Sequence, residues 1–352
     1  AKKGKTLEFR SFEIPPDRKD SIVLASGGVN PGLAESVADS LGIELANVEL
    51  KRHANDELYV RYEESVRGKD VVIIQSHSSY GEYRIEEAVN EHLFLVNAAA
   101  DSSAKSVTAI APYLAHSRGD RKSKGREIVP APLVVRSFEN AGADTMMSID
   151  VHSPQTTEHF RRGPYDHLTA QPELRAAVRE YLGEAAADSV VVAPDAGSVK
   201  NNNRHAEELS KSTEADINVI FMGKERARDD STVLKRDKVI HGVEGKICLT
   251  FDDMIDGGGT MISAAETLKN SGAREVYVAA THPIFSGNAT EKLQDSVIDR
   301  VFVTDTLPVD EAKKTMDSRL EVVRVGPLIG RAIYENMTGG SISKLFDDQN
   351  AI

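Results

Sequence analysis

Apolar positions along the chain follow two rhythms that alternate. Short, continuous apolar runs rich in β-branched residues fall at 21–25 (SIVLA), 70–75 (DVVIIQ), 106–110, 145–149, 189–193 (SVVVA), 217–222, 246–251, 275–280 and 300–304. Between them, segments at 32–41, 85–101, 132–141, 172–184 and 260–271 place their apolar residues at helical spacing. A strand that is apolar throughout, and not only at every second position, is buried on both faces. Where such strands alternate with helices, the outcome is a parallel sheet covered on both sides. The pattern predicts an α/β fold.

The pattern also repeats. Residues 68–76 (GKDVVIIQS) lead through a helical stretch to 104–112 (AKSVTAIAP), and residues 245–252 (GKICLTFD) lead through another to 273–283 (AREVYVAATHP). Two copies of one strand–helix–strand unit in 352 residues predict two domains of about 150 residues each. The polar stretch 158–166 (EHFRRGPYD) is the expected seam, residues 326–346 read as a helix followed by a short strand, and residues 1–20 read as a partly ordered extension.

Composition narrows the function. Hydrophobic residues make up 40% of the chain, enough for sizeable cores, yet no run of about 18 apolar residues offers a membrane span. The charged first residues lack the apolar core of a secretion signal, and a single cysteine, Cys248, excludes a disulfide framework or a cysteine-built metal site. A cytoplasmic setting is expected. The net charge of −12, from 43 Lys and Arg against 55 Asp and Glu, argues against nucleic acid as a partner. Within this acidic chain, residues 116–126 (HSRGDRKSKGR) carry five cations and one anion. Such an island suits a small polyanion, although on charge alone a solvated loop explains it equally well.

The segment richest in chemistry is 251–260 (FDDMIDGGGT), in which an apolar strand meets two acids, a glycine-rich turn and an amphipathic helix. Glycines allow successive N–H groups at a helix N-terminus to face one anion, and Thr260 can cap that helix and offer a hydroxyl. Asp252 and Asp253 cannot bind phosphate, which leaves them sugar hydroxyls or a divalent cation. His152 and Asp195 each end an apolar strand, where α/β sites form. One His and one Asp suit Mg²⁺, which keeps waters and leans on substrate phosphates, better than zinc.

The 251–260 stretch closely resembles the phosphoribosyl-diphosphate-binding motif of the phosphoribosyltransferase superfamily. Further segments narrow the resemblance to the ribose-phosphate diphosphokinases (phosphoribosyl-diphosphate synthases): 52–57 (RHANDE) with 64–75, 112–126, 142–152 (GADTMMSIDVH), 194–197 (PDAG), 224–226 (KER), 281–287 (THPIFSG) and 339–346 (GGSISKLF), all in family order. The resemblance implies two tandem phosphoribosyltransferase-like domains, each a mainly parallel sheet flanked by helices. They would span 21–164, completed by 326–352, and 165–325, with the active site between them and a neighbouring subunit contributing. The implied assembly is a homo-oligomer built from dimers, a hexamer in the family.

The implied reaction moves the diphosphoryl group of Mg-ATP to the C1 hydroxyl of ribose 5-phosphate. In the implied site His53, Asn55 and Glu57 serve the adenine side. Arg118, Asp120, Lys122 and His152 serve the rest of ATP, and His152 and Asp195 hold Mg²⁺. Asp252 and Asp253 take the ribose hydroxyls, and Asp256, Gly257, Gly258, Gly259 and Thr260 hold the 5-phosphate. Lys224 and Arg226 act on the transferring group from a closing loop. The sequence departs from the family pattern at His53 (usually Phe), Gly119 and Ser123 (Gln and Asp), Ser198 (Gly), Asn201 (Arg), Gly257 (Thr) and Pro283 (Gly). The departures fall mainly on the nucleotide half, so nucleotide preference and regulation by phosphate or ADP are not carried over. A non-catalytic regulatory homologue and a phosphoribosyltransferase are the competing readings.

Overall fold

Each apolar run read as a strand forms one, and each stretch read as a helix forms one, with ends shifted by a few residues. The computed structural model describes residues 13–195, 197–223 and 239–342. The chain divides into two units, parting between Thr169 and Ala170 and again between Val323 and Arg324.

In the first unit the order is α1 (Pro16–Lys19), β1 (Ile22–Ser26), α2 (Pro31–Leu41), β2 (Val48–Arg52), β3 (Leu58–Tyr62), β4 (Asp70–Ile74), α3 (Ile85–Asp101), β5 (Ser106–Ile110), α4 (Pro130–Ala141), β6 (Thr145–Ile149) and β7 (Tyr165–Leu168). The sheet runs β1-β4-β5-β6-β7 with every pair parallel, and β2 and β3 make a separate antiparallel hairpin. The second unit contains α5 (Gln171–Leu182), β8 (Ser189–Ala193), α6 (Val199–Thr213), β9 (Val219–Phe221), β10 (Ile247–Ile255), α7 (Gly259–Asn270), β11 (Glu275–Pro283), α8 (Ala289–Gln294), β12 (Arg300–Thr304), α9 (Asp310–Met316) and β13 (Leu320–Val323). Its sheet runs β9-β8-β10-β11-β12-β13, again parallel throughout. Helix α10 (Gly326–Thr338) returns to the first unit.

Set side by side, β1, β4, β5, β6 and β7 occupy the places of β8, β10, β11, β12 and β13. The repeat extends to single hydrogen bonds. Gly68 and Gly245 both take positive φ, of 70° and 71°, at the turn into the second sheet strand. The Gly68 N–H donates to Ser103 and the Lys105 N–H to Lys69; the Gly245 N–H donates to Gly272 and the Arg274 N–H to Lys246, all at 2.8–2.9 Å. Only glycine enters that backbone region at little cost, which is why Gly-Lys opens both copies.

Apolar faces on both sides of the sheets build the cores. In the first unit Val71, Ile73, Val107, Ala109 and Met146 pack against Leu95, Val96 and Phe138. In the second, Val190, Cys248, Val276, Val278 and Val301 form one face, and Val191, Leu249, Phe251, Tyr277 and Phe302 the other. Burial pushes the Cys248 thiol up to about 12, so it serves as a core residue. Helix α10 approaches α2 closely: a Cβ on Gly326 would stand 2.7 Å from Ser36 Cβ, and one on Gly330 would stand 2.0 Å from Ser40 Oγ.

One expected boundary needs correction, and two features lay outside the apolar pattern. The first unit extends past residue 164, because 165–168 form the edge strand β7, paired with β6 from Met146↔Tyr165 to Ile149↔Leu168. The extension is partly structural: Ile14 is 1% exposed and donates its N–H to Leu41, so the first unit begins before residue 21. The β2–β3 hairpin and α6 carried no strong apolar pattern. The strand residues are half-buried at best, and α6 buries only Asn202, His205, Ala206 and Leu209. Residues 343–352, which include most of the expected terminal strand, lie outside the described residues.

Candidate active site

In a parallel α/β sheet, ligands gather outside the carboxyl ends of the strands. In the second unit β10 runs beyond its neighbour: its register with β8 stops at Leu249↔Val191, while its pairing with β11 continues to Ile255↔Pro283. Asp252 and Asp253 sit on this overhang, half-buried. The Asp253 N–H donates to Asp252 Oδ1 at 2.9 Å. The Gln171 side-chain amide donates to the Asp252 carbonyl at 3.2 Å and to Thr281 Oγ1 at 2.9 Å. Burial, and after it the charge of Asp253, holds the Asp252 carboxyl up at about 7; Asp195 adds to the effect. Asp195 follows β8, and its Oδ1 accepts the Ser198 N–H at 3.1 Å, ahead of α6.

The turn 256–258 then opens α7. Gly258 is the N-cap, at φ 74°, and no side chain caps the helix. Thr260 therefore does not cap it; it lies in the first turn and is exposed. The first turn of a helix carries N–H groups without intrahelical partners, and an anion is their natural acceptor. A Cβ on Gly257 or Gly259 would meet nothing within 4 Å. Space beside the loop backbone is thus open for a ligand. Gly257, where the family pattern has Thr, costs the loop none of its N–H groups.

In the first unit two segments gather about the start of α3. His53, Asn55 and Glu57 lie exposed on the turn between β2 and β3, where the His53 N–H donates to Glu57 at 2.9 Å and Asp56 takes φ 65°. Arg52, at the root of this turn, donates to Glu87 at 3.3 Å, and Glu87 also accepts the Arg84 N–H at 2.8 Å. These bonds, the Arg84 one first, hold the Glu87 carboxyl below its ordinary range. His116 of the basic island approaches Glu86, one residue away, at 3.9 Å. The hairpin and the island therefore meet the same helix start.

Arg118 and Lys122 are exposed and Asp120 is half-buried; the Ser123 and Lys124 N–H groups donate to Glu127. Gly119 has a steric reason, since a Cβ there would stand 2.5 Å from Pro130. His152 is exposed three residues beyond β6, in a segment where the Val151 N–H donates to His167 Nε2 at 2.8 Å. Lys224 and Arg226 lie outside the described residues.

Among the described residues no three His, Cys, Asp or Glu side chains form a ready-made metal cage. The charge accumulated by Asp195, Asp252 and Asp253 is nevertheless what a hard cation with oxygen ligands relieves, and Mg²⁺ needs only one or two carboxylates besides waters and phosphates. The residues fit that ion. Pattern reading missed the amide side chains Gln171 and Asn202 and the edge-strand His167, which hold the site backbone. A polar residue on the buried face of an amphipathic helix was the available signal for Asn202.

The chain is 38% identical over 337 residues to the ribose-phosphate pyrophosphokinase of Bifidobacterium longum, covering 96% of this chain and 95% of that one. The chain belongs to the ribose-phosphate pyrophosphokinase family. The spinach chloroplast ribose-phosphate pyrophosphokinase 2 is 38% identical over 346 residues, 97% of this chain and 83% of that protein. Residues 22–142 match the N-terminal domain of ribose phosphate pyrophosphokinase, and residues 236–347 match the phosphoribosyl synthetase-associated domain. The crystal structure of phosphoribosylpyrophosphate synthetase from Mycobacterium smegmatis superposes with a TM-score of 0.81 at 34% identity, over 91% of this chain and all of that one. Family membership places the chain among transferases of diphosphate groups. No described helix is long and apolar enough to cross a membrane.

Proposed function

We propose that the chain transfers the diphosphoryl group of ATP to the C1 hydroxyl of ribose 5-phosphate, giving phosphoribosyl diphosphate and AMP for nucleotide biosynthesis. The C1 oxygen bonds to the β-phosphorus as the bond from that phosphorus to the oxygen it shares with the α-phosphate breaks, and AMP departs. The observation that carries the reading is the pairing of the acids Asp252 and Asp253 with a glycine-rich helix start that no side chain caps, at the carboxyl end of the interior strand β10. It suits a ligand with hydroxyls at one end and a phosphate at the other.

In this reading the N–H groups around Asp256, Gly257, Gly258, Gly259 and Thr260 take the 5-phosphate, and Asp252 and Asp253 accept from the ribose hydroxyls. His53, Asn55 and Glu57 receive the adenine side, and Arg118, Asp120 and Lys122 the ATP phosphates. Lys224 and Arg226 neutralise charge on the moving group. His152 and Asp195 would hold Mg²⁺, which would supply neutralising charge to the phosphate oxygens. We place the chain in a cytoplasmic homo-oligomer built from dimers, up to a hexamer.

The test incubates the protein with ATP, ribose 5-phosphate and MgCl₂ and quantifies AMP against ADP. AMP formed only with ribose 5-phosphate is the expected result. ADP would mean an ordinary kinase, and no nucleotide product would favour a regulatory homologue.

A further inference from the structure

Asn202 is fully buried in the first turn of α6, on a helix that buries few other residues. A buried amide is costly unless its donors and acceptor are used. Here all are used. Asn202 Oδ1 accepts the Phe251 N–H at 3.3 Å, and Nδ2 donates to the Phe251 carbonyl at 3.3 Å and to the Ser198 carbonyl at 2.9 Å.

The position explains the need. The β8 register with β10 ends at Leu249↔Val191, two residues short of Phe251, and Pro194 after β8 has no N–H with which to prolong a ladder. Asn202 presents one donor and one acceptor to Phe251, as a partner strand would. Its remaining donor grips Ser198, which is itself bonded to Asp195: the Ser198 N–H donates to Asp195 Oδ1 at 3.1 Å, Ser198 Oγ donates to the Asp195 carbonyl at 2.9 Å, and the Asp195 N–H donates to Ser198 Oγ at 3.5 Å. One turn further along α6, the His205 ring stacks on the Phe251 ring at 4.0 Å.

We propose that Asn202 is a positioning residue that ties the Asp195 loop to the strand carrying Asp252 and Asp253, and so sets the spacing of the three carboxylates. The proposal rests on the reading that this unit binds ribose 5-phosphate. It acts through the backbone, since Asn202 touches residue 251 and not the carboxylates. Ser198, a departure from the family pattern, thereby gains a role as the intermediate link.

The test uses the full chain in MgCl₂ with Asn202→Leu, which keeps volume and removes both polar atoms, and with Ser198→Ala, a milder cut in the same chain of bonds at a half-buried position. Ribose 5-phosphate and ATP affinities are measured by calorimetry, and exchange of the Phe251 amide by NMR. Asn202→Leu is expected to speed Phe251 exchange, to weaken ribose 5-phosphate about ten-fold or more, and to change ATP affinity less than about two-fold. Ser198→Ala leaves the Asn202 bonds in place and is expected to weaken ribose 5-phosphate about three-fold through Asp195, while Asn202→Ser, a smaller change at the same position, decides the matter if Asn202→Leu does not fold. Unchanged ribose 5-phosphate affinity, or equal losses for both substrates, overturns the proposal. Failure of the wild-type chain to bind ribose 5-phosphate overturns the underlying reading, and the proposal falls with it.

Discussion

Replacing Asp252 with Asn should make the metal-free protein more stable, and increasingly so as pH rises. The Asp252 carboxyl is held near 7 against an ordinary 3.8, by burial first and by the charges of Asp253 and Asp195 as well. Its folded-state value is raised, so the folded state binds the proton more tightly than the unfolded state does. Ionising the group therefore costs stability as pH climbs from about 3.8 towards 7, and the cost is fully felt above that. Moving a carboxyl that far amounts to about 4 kcal/mol at most, of which about 1.5 is already felt at pH 5.

Asn carries no charge, so the stability difference between Asp252→Asn and wild type should grow by about 2–3 kcal/mol between pH 5 and pH 8. The assay is urea unfolding in EDTA at pH 5, 6.5 and 8. Pulsed hydrogen–deuterium labelling of the Ile247–Ile255 strand reports the second unit separately from the first. A difference that stays constant or shrinks with pH would refute the reasoning. The same substitution should weaken ribose 5-phosphate more than ATP in Mg²⁺, so a stabilised variant would be a poorer enzyme, as expected where a site stores unfavourable charge.

Further outcomes follow from other places in the fold. Gly330→Ala should cost the first unit about 1–3 kcal/mol, because the new Cβ displaces Ser40 Oγ from its 2.7 Å bond to Val37; urea unfolding checks it, and Ser40→Ala in the same chain should recover part of the loss. His92 is buried, held down to about 3 mainly by that burial, and its Nδ1 shares a hydrogen bond with His77 Nε2 at 3.1 Å. Its folded-state value is depressed, so the wild type should lose stability as pH falls below about 6.5, by up to about 1.4 kcal/mol per pH unit. The gap between wild type and His92→Leu should then narrow between pH 6.5 and 4.5, and a constant gap in urea midpoints would contradict this. Lys224→Ala should lower AMP formation by about two orders of magnitude or more with an unchanged melting temperature; unaltered turnover would remove Lys224 from the mechanism.

Local patterning alone determined much of this protein. Runs such as SVVVA at 189–193 are too uniformly apolar to be anything but strands buried on both faces, and the two Gly-Lys turns are legible because positive φ admits few other residues. The acids and glycines of 251–260 were legible for the same reason, since the strand, turn and helix that place them are contiguous in the chain. Tertiary structure decided what depends on distant partners. Tyr165–Leu168 is a strand only because β6 offers it an edge, and Ile14 belongs to the first unit only because Leu41 accepts its N–H. The carboxyl of Asp252 reaches about 7 only when folding buries it beside Asp253 and Asp195, 57 positions earlier in the sequence. Asn202 reads as one more polar helix residue until the shortness of β8 leaves Phe251 in need of a partner. Periodicity records which face a residue turns inward, because that is set by local backbone geometry. Which polar group it meets there depends on how far each neighbouring strand extends, and only the folded chain settles that length.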